Sequence, residues 1–227
     1  MGGSNNGGYT NDVWSSTDGV NWTTVTQAAQ FSPRWLHQLA VLGSQLFVYG
    51  GLDDVTGWRR DVWSSSDGAT WQEATATADW SQRVYSTGTV FNNQLWIGGG
   101  LDGLNFALYD DVWSSADGKQ WTQATAAAAF GPRYDMAGTF FNNRFWIVGG
   151  ELPGNSAASD VWSSADGVTW TQATAVAPFT ACSARQALVL NNQLCIVAGN
   201  DGTRTHDLWR SPDGIQWPVA AKAIVQF

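Results

Sequence analysis

Three arginines recur at one place in a repeating frame: Arg34, Arg83 and Arg133 stand 49 and 50 residues apart, and Cys182 holds the fourth position. Guanidiniums brought together by such a spacing would grip a carboxylate or other anion through paired N–H donors. The competing expectation is that each arginine bonds loop carbonyls or an Asp of its neighbour, because a repeated residue usually serves the repeat. The next three positions vary, reading Trp35-Leu36-His37, Val84-Tyr85-Ser86, Tyr134-Asp135-Met136 and Ser183-Ala184-Arg185. Aromatic and charged side chains mixed within a fixed frame suit a sugar ring or a peptide, since aromatic faces supply contact area and charges orient the ligand. Simple filling of a narrow channel is the alternative. The candidate ligand-binding residues are therefore Arg34, Trp35, His37, Arg83, Tyr85, Arg133, Tyr134, Asp135 and Arg185, with Trp58 from a variable segment. Arg59, Arg60, Phe106 and Tyr109 are secondary candidates.

Catalytic chemistry finds little material. The chain holds two His (His37, His206), two Cys (Cys182, Cys195) and two Glu (Glu73, Glu151), none in a metal-ligand spacing. No nucleophile elbow, phosphate-binding loop or dinucleotide fingerprint is present. Adjacent acids such as Asp53-Asp54 and Asp110-Asp111 sit beside turn residues, where Asp bonds its own backbone. Neither a metal nor a cofactor is expected. With 11 Lys and Arg against 19 Asp and Glu, the net charge of -8 disfavours nucleic acid as a partner. No apolar run reaches the roughly 20 residues that a membrane-spanning helix needs.

The frame that positions these residues is a repeat. "DVWSS" begins at Asp12, Asp61, Asp111 and Asp160, and a relaxed copy, "DLWRS", begins at Asp207. Each continues as D-G-x-x-W, giving the Trp pairs 14/22, 63/71, 113/121, 162/170 and 209/217, which account for ten of the 15 Trp. Twenty-one residues after each second Trp, in four of the copies, comes a turn dipeptide: Gly43-Ser44, Asn92-Asn93, Asn142-Asn143 or Asn191-Asn192. Each turn leads into an apolar run such as "QLFVYGG" or "RFWIVGG". Length varies only between that run and the next "DVW", in segments 52–60, 101–110, 151–159 and 200–206. One variable loop per repeat marks one face of the molecule.

Four strand-like runs separated by turns make up each unit, as in 85–91, 94–99, 111–115 and 121–125. Asn92-Asn93 fits a two-residue type I′ turn, in which both residues take positive φ. At the D-G turn a three-residue bulged loop, Ala165 to Gly167, is expected, because it would place Trp162 and Trp170 on one face.

The unit resembles the kelch repeat: a Gly-Gly doublet ends one strand, an aromatic lies in the next and a Trp follows. Here these are Gly50-Gly51/Trp63/Trp71, Gly99-Gly100/Trp113/Trp121 and Gly149-Gly150/Trp162/Trp170, while Ala198-Gly199 departs from the doublet. The phrase S-x-D-G-x-x-W also resembles the Asp-box hairpin of sialidases without one of its residues, and it is a structural element in that family. The kelch resemblance covers essentially the whole chain. It implies an all-β, kelch-like β-propeller of about five blades of four-stranded antiparallel sheet. The expected divisions are a half blade at 1–30 and blades at about 31–79, 80–129, 130–178 and 179–227.

Five copies of the Trp-pair half stand against four of the turn-and-doublet half, so one blade lacks its inner strands and exposes an edge. A longer parent chain, strands from another copy and imperfect closure all remain open. The functional expectation is a non-catalytic scaffold that binds a protein, peptide or glycan through its loop face or channel mouth. A structural or engineered repeat fragment that self-associates through its incomplete blade is the alternative, and an enzyme with an unrecognised site comes third. The two cysteines are expected as free thiols, because Cys195 should face Leu188, several residues from Cys182. The Lys-poor, Ser/Thr/Asn-rich style resembles extracytoplasmic bacterial kelch proteins, so a secreted setting is the weak expectation.

Overall fold

A computed structural model describes residues 1–181, 186–200 and 204–222 of the chain. Every regular element among them is a strand. Four antiparallel sheets of four strands follow one another, each a meander in chain order. The first comprises Gln38–Leu42, Gln45–Tyr49, Val62–Ser65 and Gln72–Thr75. The second comprises Thr87–Phe91, Gln94–Leu101, Leu108–Ser115 and Thr122–Thr125. Ala137–Phe141, Arg144–Leu152, Ser156–Ser164 and Thr171–Thr174 make the third, and Gln186–Leu190, Gln193–Asn200, Arg204–Ser211 and Val219–Lys222 the fourth. Ahead of these lie two short hairpins, Gly3–Asn5 with Gly8–Thr10 and Val13–Ser15 with Thr23–Thr26.

Turn chemistry sets the hairpins. Asn92/Asn93, Asn142/Asn143 and Asn191/Asn192 all take φ between 46° and 56°, as a type I′ turn requires. At the first copy only Gly43 has positive φ (60°), so Gly43-Ser44 turns differently. The D-G connection is not the three-residue bulged loop expected from the sequence. Ser163 pairs with Thr171, which leaves seven residues (164–170) to make the turn. The Ser164 hydroxyl accepts from the Asp166 and Gly167 N–H groups, and the Asp166 carboxylate accepts from Val168 and Thr169. The turn is thus built by side-chain acceptors instead of a tight two-strand register. The bulge lies earlier, between Val161 and Trp162. Trp162 and Trp170 nevertheless share one apolar cluster, as the repeated pair demands.

Apolar side chains fill the space between neighbouring sheets. Phe47 and Tyr49 of the first sheet pack with Trp80, Leu95, Ile97 and Trp121 of the second unit. Phe91, Trp96 and Val112 pack in the same way with Phe145, Ile147 and Trp170 of the third. The first strands of the four sheets lie side by side in sequence order. Both faces of each inner sheet are buried, which is why so few charged residues occur.

Candidate functional site

One end of the molecule gathers the variable residues. The fixed frame there begins with the arginines. Arg34 donates twice to Asp61 (2.8 and 2.8 Å), Arg83 to Asp111 (2.5 and 3.0 Å) and Arg133 to Asp160 (2.7 and 3.0 Å). Each guanidinium also donates to a doublet carbonyl, at Gly50, Gly99 or Gly149. The same Asp accepts the indole N–H of the first Trp of its pair: Trp63, Trp113 or Trp162. All three arginines are buried. The expectation that they present a basic cluster to a ligand is therefore corrected: their donors are spent inside the frame, and Asp of the "DVW" phrase is their partner.

The doublets then shape the backbone. A Cβ on Gly51 would lie 2.7 Å from the Trp35 carbonyl oxygen, one on Gly100 2.9 Å from that of Val84, and one on Gly150 2.8 Å from that of Tyr134. With φ of 94°, 107° and 97°, these positions also favour glycine conformationally. The chain passes close behind them and turns sharply. Leu36, Tyr85 and Asp135 each adopt left-handed φ (58°, 52° and 57°), a costly conformation for residues with side chains. Asp135 N–H donates to the Tyr85 carbonyl at 2.7 Å, linking neighbouring turns.

The outcome is an arc of aromatic rings. Tyr9 and Trp35 have centroids 6.3 Å apart, Trp35 and Tyr85 6.4 Å, and Tyr85 and Tyr134 5.9 Å. Trp35 is exposed and the three tyrosines are half-buried. The Tyr134 hydroxyl donates to the Glu151 carboxylate. Desolvation, that hydrogen bond and the Glu151 and Asp135 charges push the Tyr134 phenol up to about 12. Tyr85 shifts upward too, through desolvation and then the Asp135 charge. Asp135 and Glu151 thus set negative charge beside the arc. Beneath it lies a polar cavity of about 350 Å³, lined by Leu36, His37, Tyr85, Thr87, Asp135 and Gln186 among others.

The variable segments extend from the same end. Leu52 pairs with Trp35, Leu101 bridges Val84 and Glu151 bridges Tyr134. Beside Tyr134 an apolar cleft of about 470 Å³ opens between two loops, lined by Leu101, Phe106, Leu108, Leu152 and Pro153. Leu104 and Phe106 stand exposed on one of these loops. Sequence reasoning placed Phe106 only second and missed Tyr9, Glu151 and Leu104. Their loops differ in length, so column-by-column comparison could not align them.

Other candidates take different roles. Trp58 lies across Gly103 of the neighbouring loop, where a Cβ would sit 1.4 Å from the indole. It fastens two loops together. His37 is turned towards the N-terminal residues and lines the cavity, with Nδ1 unpartnered. Burial and the Arg34 charge lower its pKa to about 4. Tyr109 stacks on Arg83, 4.3 Å from guanidinium carbon to ring centre, and donates to Asp102. Arg59 pairs with Asp53, while Arg60 remains exposed. Arg185, Cys182, Ser183 and Ala184 lie outside the described residues, and so does the side chain of His206. Cys195 is a buried free thiol opposite Leu188. Among the described residues, no three His, Cys, Asp or Glu side chains gather as a metal site.

No protein-family model matches the chain, and no curated protein does. Among solved structures it is similar to one described as "Structure of YjhT", with a TM-score of 0.76 at 14% identity. That match covers 97% of this chain and 82% of the other. The fold is propeller-like. At such identity the likeness concerns the fold alone, so the chemistry must be argued from the residues themselves.

Proposed function

We propose that this chain is a non-catalytic, kelch-type propeller of about five blades that recognises an extended protein or peptide segment at its variable-loop face. One observation carries the reading: the aromatic arc Tyr9–Trp35–Tyr85–Tyr134 runs directly into the apolar cleft beside Phe106. Rings set side by side offer a ledge for backbone and side-chain stacking, and the cleft takes an apolar anchor. Asp135 and Glu151 at the rim favour a ligand with positive charge flanking that anchor. The left-handed turns and glycine doublets preorganise the ledge, which lowers the entropy cost of binding.

Stacking rings also suit a glycan, and the same array distinguishes the two. Peptide and glycan libraries are presented to the protein and to its Trp35→Ala, Tyr134→Ala and Phe106→Ser variants, with Glu73→Gln as a control on an outer strand. Capture of apolar peptides flanked by Lys or Arg, lost in the three variants and kept in the control, is the expected result. Binding to glycans alone would replace the peptide reading. Peptide binding that survives all three substitutions would move the site elsewhere.

A further inference from the structure

Strand Val13–Ser15 is paired on one side only, with Thr23–Thr26. In the other units the corresponding strand is also paired on its far side, as Val62–Ser65 is with Leu46–Tyr49. Among the described residues, no strand pairs with that side of Val13–Ser15. The neighbouring backbone already matches the complete units: Gly2 N–H donates to the Asp12 carbonyl at 2.9 Å, as Gly50 N–H does to Asp61 at 3.2 Å.

The complete units show what covers such an edge. Trp22 is 59% exposed, whereas its counterparts Trp71, Trp121, Trp170 and Trp217 are 3–6% exposed. Each of those four meets the aromatic that leads into its own first strand: Phe31, Trp80, Phe130 and Phe179, at 5.1, 5.8, 5.0 and 5.4 Å. Charge gives a second, independent sign. Asp61, Asp111 and Asp160 each hold an arginine lying three residues after that aromatic. Asp12 binds Trp14 in the same way (2.6 Å), yet among the described residues no arginine reaches it. The first strands of the first and fourth sheets also leave apolar side chains uncovered. Leu39 and Val41 are exposed on the first strand of the first sheet, as are Leu188 and Leu190 on that of the fourth. Leu39 is equivalent to Gly88 and Gly138, positions that face the preceding sheet through Tyr49 and Thr87. Leu190 is equivalent to Phe91, which faces the following sheet through Phe140.

We propose that this edge is a docking site for a β-hairpin with the chemistry of the repeat's own first two strands. Such a hairpin brings a leading aromatic to cover Trp22 and, three residues later, an arginine for Asp12. Its second strand pairs with Val13–Ser15 by strand addition, and, in the five-blade ring proposed above, on which this part rests, its apolar side chains fill between Leu39 and Leu190. The unmatched Asp and the exposed Trp select this occupant over an arbitrary strand, because only the repeat's hairpin carries both groups at that separation.

The probe is a synthetic peptide of residues 130–147, which carries Phe130, Arg133 and the Asn142-Asn143 turn, titrated into the full chain by calorimetry. The expected result is saturable one-to-one binding, weakened about tenfold or more by Trp22→Lys and by Asp12→Asn. Arg133→Gln in the peptide should cost the wild-type protein a similar factor and cost the Asp12→Asn protein almost nothing further, which a purely structural effect of either change would not produce. Trp35→Ala in the protein should leave this binding unchanged, keeping it separate from the mouth. A peptide of residues 111–126, which has the chemistry of the other hairpin, should not bind. Absence of saturable binding, or additive effects of Asp12→Asn and Arg133→Gln, overturns the proposal. A concentration-dependent dimer abolished by Trp22→Lys and unaffected by the peptide would instead make the edge an interface between copies.

Discussion

At the scale of single residues, the arginine–aspartate pairs are the strongest commitments in the chain. Arg83 and Asp111 are both buried, so removing one partner strands a charge in low dielectric. Arg83→Ala should lower stability by about 3–5 kcal/mol, read as a shift in denaturant midpoint. Replacing the two together with apolar residues of similar volume should cost less than either single change. His37 sets a pH dependence of known sign. Its folded pKa is about 4, below the ordinary 6.5, so between these values the unfolded chain holds a proton that the folded chain does not. Stability should therefore fall as pH drops through that window, and His37→Phe should flatten this part of the profile. The carboxylates of Asp67 and Asp166, held below the ordinary carboxylate range by backbone N–H donors, keep their stabilising contribution through that window and lose it only in stronger acid.

At the scale of elements, the turns decide how the mouth is built. Gly51→Ala would bring a methyl group within 2.7 Å of the Trp35 carbonyl at a φ of 94°. That substitution should cost about 1–3 kcal/mol and displace Trp35, so ligand binding at the mouth should weaken along with the thermal midpoint. Asn143→Gly, at a φ of 55°, keeps the type I′ turn and should leave the midpoint unchanged or slightly raised. These elements also show what sequence alone can convey. Regular spacing exposed every four-stranded sheet, the Asn-Asn turns and the shared layer of Trp162 and Trp170, because equal spacing in sequence becomes equal position in space. The D-G loop was misjudged, since its shape comes from Ser164 and Asp166 accepting backbone N–H groups. Strand periodicity carries no trace of those bonds. The mouth was half legible. Trp35, Tyr85 and Tyr134 sit in fixed columns, whereas Tyr9, Glu151 and Phe106 arrive on segments of unequal length. The arginines pointed to the right end of the molecule and an Asp was among their expected partners, but which Asp, 27 or 28 residues further on, was not legible.

At the scale of the whole molecule, stability is local to each interface between sheets, as in other repeat architectures. The second and third units are covered on both sides, whereas among the described residues the Val13–Thr26 hairpin rests on one neighbour through Phe31 and Trp71. Hydrogen exchange should therefore be fastest at Val13, Trp14 and Thr24 and slowest at Ile97 and Ile147, with more than one unfolding free energy across the chain. Uniform protection would show that the units unfold as one.

The self-contained wiring of the S-x-D-G-x-x-W loops has a kinetic consequence. Each loop can close on its own bonds before any sheet assembles, so a refolding chain contains interchangeable parts. Segments 111–126 and 160–175 differ only at Lys119-Gln120 against Val168-Thr169. Either should therefore fit the other's berth, which would thread the chain one whole unit out of step and spool the skipped unit into solvent. Escape from that misthreaded state requires a complete interface to come apart. Refolding should thus show a slow phase that vanishes once one of the two segments is rewritten.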